Sequence, residues 1–154
     1  MPSPLPCRFR HAALIGKYHA RGIRPLLEDV AHTLSRTGVE VYLEADTAHN
    51  TGMADYPSLT FDQIGRQCDV AVVVGGDGTM LAVARELSQF DIPLIGTNQG
   101  RLGFITDIPQ KDFHTTLPLI LRGDYERECR STLEGAELRP SPDGGFETIY
   151  EGYA

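Results

Sequence analysis

Tryptophan is absent from this 154-residue chain, and cysteine occurs only three times, at Cys7, Cys68 and Cys129. Three thiols so far apart exclude a disulfide framework or a zinc site. Long hydrophobic runs are missing as well. No apolar stretch approaches the ~20 residues of a membrane span, and Met1-Pro2-Ser3-Pro4-Leu5-Pro6 lacks the apolar centre of a signal peptide, so the expected location is the cytoplasm, with no membrane partner. Positive charge is scarce. Fourteen Lys and Arg face 21 Asp and Glu, and the net charge of −7 argues against a nucleic-acid partner or an anionic membrane surface. His11, His19, His32, His49 and His114 show no metal-ligand spacing, and no metal-ligating residue is assigned.

What the chain does carry is concentrated in Val72-Val73-Val74-Gly75-Gly76-Asp77-Gly78-Thr79. Val70 to Val74 is short, apolar and β-branched, and reads as a central strand covered on both faces. Met80 to Phe90 reads as a helix capped by Thr79. A loop between a strand's carboxyl end and a helix's amino end attracts anions, because unpaired amides and the helix dipole point into it. Three glycines in four positions let the backbone approach a ligand and take φ > 0 where needed. Asp77 stands out in this setting, since a fixed negative charge opposes phosphate. A carboxylate there points to chemistry, either accepting a proton from a hydroxyl or holding a divalent cation. Gly-Gly-Asp-Gly is also ordinary turn chemistry, and that reading stands beside the first.

Around this loop the chain alternates strands and helices. His11 to Gly16 reads as a first strand and Lys17 to Gly22 as the loop after it. A helix follows behind Pro25, with Leu26, Leu27, Val30, Ala31 and Leu34 on one face and Gly38 at its C-terminal cap. Val39 to Glu44 is a second strand, Ala45 to Pro57 a polar irregular connection, and Phe61 to Arg66 a short helix. Ile92 to Gly96 is the strand after the glycine loop, and Pro109 to Leu121 a helix interrupted near Pro118. Such alternation predicts a right-handed, mainly parallel, Rossmann-like α/β sheet over residues 1–124. The first strand lacks the Gly-x-Gly-x-x-Gly turn, so ordinary dinucleotide docking there is not supported. From 125 to 154 the character changes. Tyr125 to Leu138 and Phe146 to Tyr150 flank the turn Pro140 to Gly145 as the opening hairpin of a β-rich domain. A two-stranded hairpin alone is marginal in water, so this segment is expected to need further chain or a partner.

A second loaded segment runs Gly96-Thr97-Asn98-Gln99-Gly100-Arg101-Leu102-Gly103-Phe104-Ile105-Thr106-Asp107. It leaves the same sheet edge as the Asp77 loop, so both can face one ligand across a cleft. Asn98 can donate and accept hydrogen bonds, Arg101 can offset phosphate charge and Phe104 offers an aromatic face. The plainer alternatives are a self-closing turn for Asn98, a solvated Arg101 and a core Phe104.

Together, Gly75-Gly76-Asp77-Gly78-Thr79-Met80-Leu81 and Gly96 to Asp107 resemble the paired signature of the NAD kinases, especially the bacterial type. Similarity extends through Phe61-Asp62-Gln63-Ile64-Gly65, Leu121-Arg122-Gly123-Asp124-Tyr125 and Cys129 to Glu134. The first motif has counterparts in lipid kinases and phosphofructokinases. The second discriminates, because diacylglycerol-kinase-like chains are expected to carry Gly-Thr-Gly-Asn-Asp there.

The resemblance implies transfer of the γ-phosphoryl group of ATP, or of polyphosphate in some members, to the 2′-hydroxyl of the adenosine ribose of NAD, giving NADP. Asp77 would be the general base and, with Gly78, would contact NAD. Gly75, Gly76, Gly78 and Thr79 would line the phosphate path, Asn98 would help close it and Phe104 would pack on the nucleotide. A divalent cation, Mg²⁺, would neutralise charge. The full-length protein would be a homo-oligomer. Ala82 departs from members with a basic residue at that position. Family chains continue through a β-rich second domain with an Asn-Glu or Asn-Asp pair, so the resemblance also implies a fragment with little or no turnover alone. The alternatives are a lipid or other small-molecule kinase of the same superfamily and a non-catalytic nucleotide-binding module.

Overall fold

The computed structural model describes residues 8–16, 22–98, 108–127, 129 and 134–153. Six strands, β1 (His11–Gly16), β2 (Glu40–Glu44), β3 (Ser58–Leu59), β4 (Val70–Gly75), β5 (Leu94–Asn98) and β6 (Ile108–Pro109), form one sheet in the order β3-β2-β1-β4-β5-β6. Every neighbouring pair is parallel. The order reverses between β1 and β4, which is the doubly wound arrangement whose ligand crevice lies at that reversal.

Helices cover both faces. Val70, Val72 and Val74 of β4 pack with α1 (Ile23–Arg36) and α5 (Phe113–Leu121), and Ala48 of α2 (Ala45–Thr51) joins that layer. Ala71 and Val73 pack the other way, with Ile64 of α3 (Phe61–Gln67) and Met80, Val83 and Leu87 of α4 (Asp77–Leu87). Burial on both sides explains why β4 is apolar at successive positions instead of alternating. Connections from β1 outward to β3 place helices on one face and those from β3 through β4 to β5 on the other, as a single crossover hand demands.

Local chemistry accounts for the elements. In α1, Ile23, Leu26, Leu27, Val30, Ala31 and Leu34 are buried at helical spacing, each large one contributing about 1.5–3 kcal/mol. The helix ends as its sequence predicts: Thr37 and Gly38 amides bond to the Leu34 and Ser35 carbonyls, and Gly38 takes φ 93°. A capping box starts α3. The Thr60 hydroxyl accepts from the Gln63 amide at 3.3 Å while the Gln63 side chain accepts from the Thr60 amide at 2.9 Å. Cys68 ends this helix buried, its thiol pushed up to about 11 by burial and, secondarily, by Asp69, so it behaves as a core residue.

Several expectations are corrected. The helix expected over Met80 to Phe90 runs from Asp77 to Leu87, with Gly76 rather than Thr79 at its N-cap and no side-chain cap. Gly75, Gly76 and Gly78 are not among the glycines of positive φ. Residues Ala45 to Pro57 are not simply irregular. Glu44 caps α2 with its carboxylate, and β3 follows as a short edge strand. The strand expected at Ile92 to Gly96 lies two residues later, because Pro93 contributes only its carbonyl, accepting from the Ala71 amide at 3.1 Å. Pro109 belongs to β6, and a 3₁₀ turn over Gln110–Asp112 precedes α5. That helix continues through Pro118, forgoing one amide bond while Phe113, Leu117 and Leu121 stay buried.

Beyond the sheet, β7 (Glu134–Pro140) and β8 (Phe146–Tyr153) pair antiparallel with an irregularity at Glu137/Leu138. Gly144 turns at φ 89°, and the Ser141 amide bonds to the Gly145 carbonyl at 2.8 Å. The Gly145 amide and the Ser141 hydroxyl hold the Asp143 carboxyl below the usual carboxylate range.

Candidate functional site

The carboxyl edge of the sheet brings the two sequence motifs together. In the β4–β5 register Val74 faces Thr97 and Gly75 faces Asn98, so the last residues of the two strands lie side by side. Asn98 is buried and also faces Pro109 of β6. One residue beyond Gly75, the chain turns at Gly76 and enters α4, whose first residue is Asp77. Asp77 is half-buried, Gly78 exposed and Thr79 half-buried.

Asp77, Gly78 and Thr79 therefore form a helical first turn, where the amides have no carbonyl within the helix to bond. The first helical bond comes only at Met80, whose amide donates to the Gly76 carbonyl at 3.1 Å. Glycine has distinct uses here. A Cβ on Gly75 would stand 2.7 Å from Thr79 Oγ1, so Gly75 is small because Thr79 folds back onto the end of β4. Gly76 and Gly78 have open space where a side chain would be, leaving their backbone approachable by a large anion. A carboxylate on such a turn is favoured by the helix dipole, by about 0.3–1 kcal/mol, and stands where phosphate would otherwise bind alone.

Of the residues singled out in the sequence, Gly75, Gly76, Asp77, Gly78, Thr79 and Asn98 converge on this edge. Arg101 and Phe104 lie outside the described residues, as does the stretch 99–107. A groove of about 890 Å³ opens nearby on the α1 and α5 side, between Gly22 and Pro25 at the start of α1 and Lys111 of the 3₁₀ turn and His114 of α5. His114 Nε2 meets Asp29 Oδ2 at 3.0 Å across it.

Sequence reasoning missed three residues at this edge: Gly16, Glu44 and Thr47. Glu44 ends β2 nearly buried, and its carboxylate accepts from the Asp46 and Thr47 amides and from the Thr47 hydroxyl at 2.8 to 2.9 Å. The Thr47 hydroxyl in turn accepts from the Gly16 amide at 3.2 Å. The available signal was an acid at a strand end followed three residues later by Thr, a pattern less familiar than Ser, Thr, Asp or Asn as a cap.

Thr97 adds an energetic anomaly. Its hydroxyl is buried and has no hydrogen-bond partner among the described residues. Register with Val74 turns its side chain toward the α1 and α5 layer. Thr97→Val removes the orphaned hydroxyl, and the full-length protein is expected to gain about 1 kcal/mol, a rise of a few degrees in Tm by calorimetry. A lower Tm would show that the hydroxyl has a partner in solution.

Comparison with known proteins follows this geometry. Residues 13–125 match the family model described as the ATP-NAD kinase N-terminal domain. The chain is 55% identical over 147 residues to a NAD kinase of Methylibium petroleiphilum, covering 96% of this chain and 48% of that protein. It is 55% identical over 132 residues to a NAD kinase of a Polaromonas species, covering 86% and 45% respectively. The chain thus spans about half the length of the curated relatives it matches. Among solved structures, yeast NADH kinase complexed with NADH superposes with a TM-score of 0.74 at 18% identity, covering 99% of this chain and 51% of that one, which establishes the fold.

Proposed function

The chain belongs to the ATP-NAD kinase family, and from that premise we propose that it supplies the phosphate-handling part of an enzyme that makes NADP from NAD and ATP. The observation that carries the reading is the in-register pairing of Gly75 with Asn98, which sets Asp77 at the opening of α4 beside the second motif. In this reading residues 1–124 form the phosphate-binding domain, and 125–154 begin a β-rich NAD-binding domain. The full-length protein is a cytoplasmic homo-oligomer.

Each residue has a role. Asp77 accepts the proton of the ribose 2′-hydroxyl as that oxygen bonds to the γ-phosphorus, and the bond from phosphorus to the β,γ-bridging oxygen breaks to release ADP. The open backbone at Gly76 and Gly78 and the first-turn amides of α4 receive the phosphates. Thr79 packs on Gly75 and keeps that turn tight, Asn98 closes the neighbouring strand end and Phe104 packs against the nucleotide. Among the described residues no group of three or more His, Cys, Asp or Glu could hold a metal ion. A divalent cation, Mg²⁺, would come with the ATP phosphates, and no residue of the chain is assigned as its ligand. When bound, the ion would neutralise phosphate charge.

Incubation of the full-length protein with ATP, Mg²⁺ and either NAD or diacylglycerol tests the reading. Mass spectrometry is expected to find NADP and ADP in the first mixture and no phosphorylated lipid in the second. Lipid phosphorylation without NADP, or nucleotide binding without transfer, would overturn it.

A further inference from the structure

In doubly wound sheets that dock a dinucleotide, an acid near the end of the second strand takes the ribose hydroxyls. Glu44 stands at that place, but both of its oxygens are engaged by this protein's own Asp46 and Thr47. Among the described residues no cation pairs with it, although it is 4% exposed. A carboxylate removed from water in this way is costly unless its donors stay in place, so the cluster resists deformation.

Its far end is the last peptide of β1. Thr47, fully buried, donates its hydroxyl proton to Glu44 Oε2 at 2.9 Å and accepts the Gly16 amide at 3.2 Å. Gly16 is pressed from the sheet face as well, for a Cβ there would stand 2.7 Å from both methyl carbons of the buried Leu27 of α1. Across the strand-order reversal Gly16 is in register with Val74, which leads directly into Gly75, Gly76 and Asp77. The clamped peptide thus lies beside the strand end that leads into the Asp77 turn, at the strand-order reversal where doubly wound sheets open their ligand crevice.

We propose that Glu44, acting through Thr47, is a positioning residue for phosphoryl transfer: it fixes the carboxyl end of β1 beside the strand end that leads into the Asp77 turn. The assignment rests on the kinase reading above. Holding this strand end in place matters because a misplacement of about 1 Å near the reacting groups can cost on the order of 10²-fold in rate.

The test compares full-length wild type with Thr47→Val, Thr47→Ser and Glu44→Asp. Readouts are amide exchange at the carboxyl end of β1, Tm, and kcat with separate KM values for ATP and NAD. Thr47→Val is expected to lose protection at Gly16 and to lower kcat by about 10-fold or more, with both KM values within about 3-fold. Thr47→Ser restores both. Glu44→Asp, which draws the carboxylate back by one methylene, repeats the kcat loss and supplies the result should Thr47→Val misfold. An active wild type whose variants lose Gly16 protection or Tm at unchanged kcat overturns the assignment alone. A wild type that phosphorylates no NAD overturns the kinase reading and this assignment together.

Discussion

Asp77→Asn in the full-length protein is expected to lower NADP formation by about 10²- to 10⁴-fold while leaving NAD affinity within a few-fold. The amide keeps the shape of the carboxylate at the first position of α4 but accepts no proton from a hydroxyl. The helix dipole favours the carboxylate at this half-exposed position by about 0.3–1 kcal/mol, a contribution that the amide forgoes. Turnover measured by NADP release and affinity measured by calorimetric titration therefore separate. If Asp77 serves only to shape the turn, the variant should turn over at nearly the wild-type rate. Parallel loss of turnover, NAD binding and Tm would instead mean that the carboxylate holds the turn together.

How much of this site could be read beforehand depends on which physical signal each residue carries. The β4 run was legible because a strand buried on both faces must be apolar at consecutive positions, and Val70 to Val74 are fully buried. Helix α1 was legible from its apolar spacing. The first turn of α4 was not, since two glycines and an aspartate read as loop. Only the backbone shows that Asp77, Gly78 and Thr79 are already helical. Helix α2 escaped for a related reason. Thr47 is its one buried residue, so no hydrophobic period marks it, and its cap is a glutamate. The edge strands β3 and β6 have two residues each, too few for any pattern. The pairing of the two motifs was anticipated from topology. The Gly75–Asn98 register added what the sequence could not, because it depends on where β5 ends, two residues later than its apolar run suggests.

The largest expected effect on stability comes from a glycine outside the site. Gly65 lies inside α3, where Ala is normally favoured by about 0.5–1 kcal/mol, so a small residue there needs a reason. The reason is Phe90: a Cβ on Gly65 would overlap the base of the Phe90 ring, so the ring or the helix must shift to admit it. Phe90 packs against the layer formed by Ile64, Val83 and Leu87, and its amide bonds to the Leu87 carbonyl at 2.9 Å. Gly65→Ala is therefore expected to destabilise the full-length protein by about 1–3 kcal/mol, a fall of several degrees in Tm, despite the better helix propensity. Placing the same substitution in a Phe90→Ala background removes the overlap and leaves the propensity gain, so there Gly65→Ala should be neutral or stabilising. A Tm for Gly65→Ala at or above wild type would mean that the ring relocates freely.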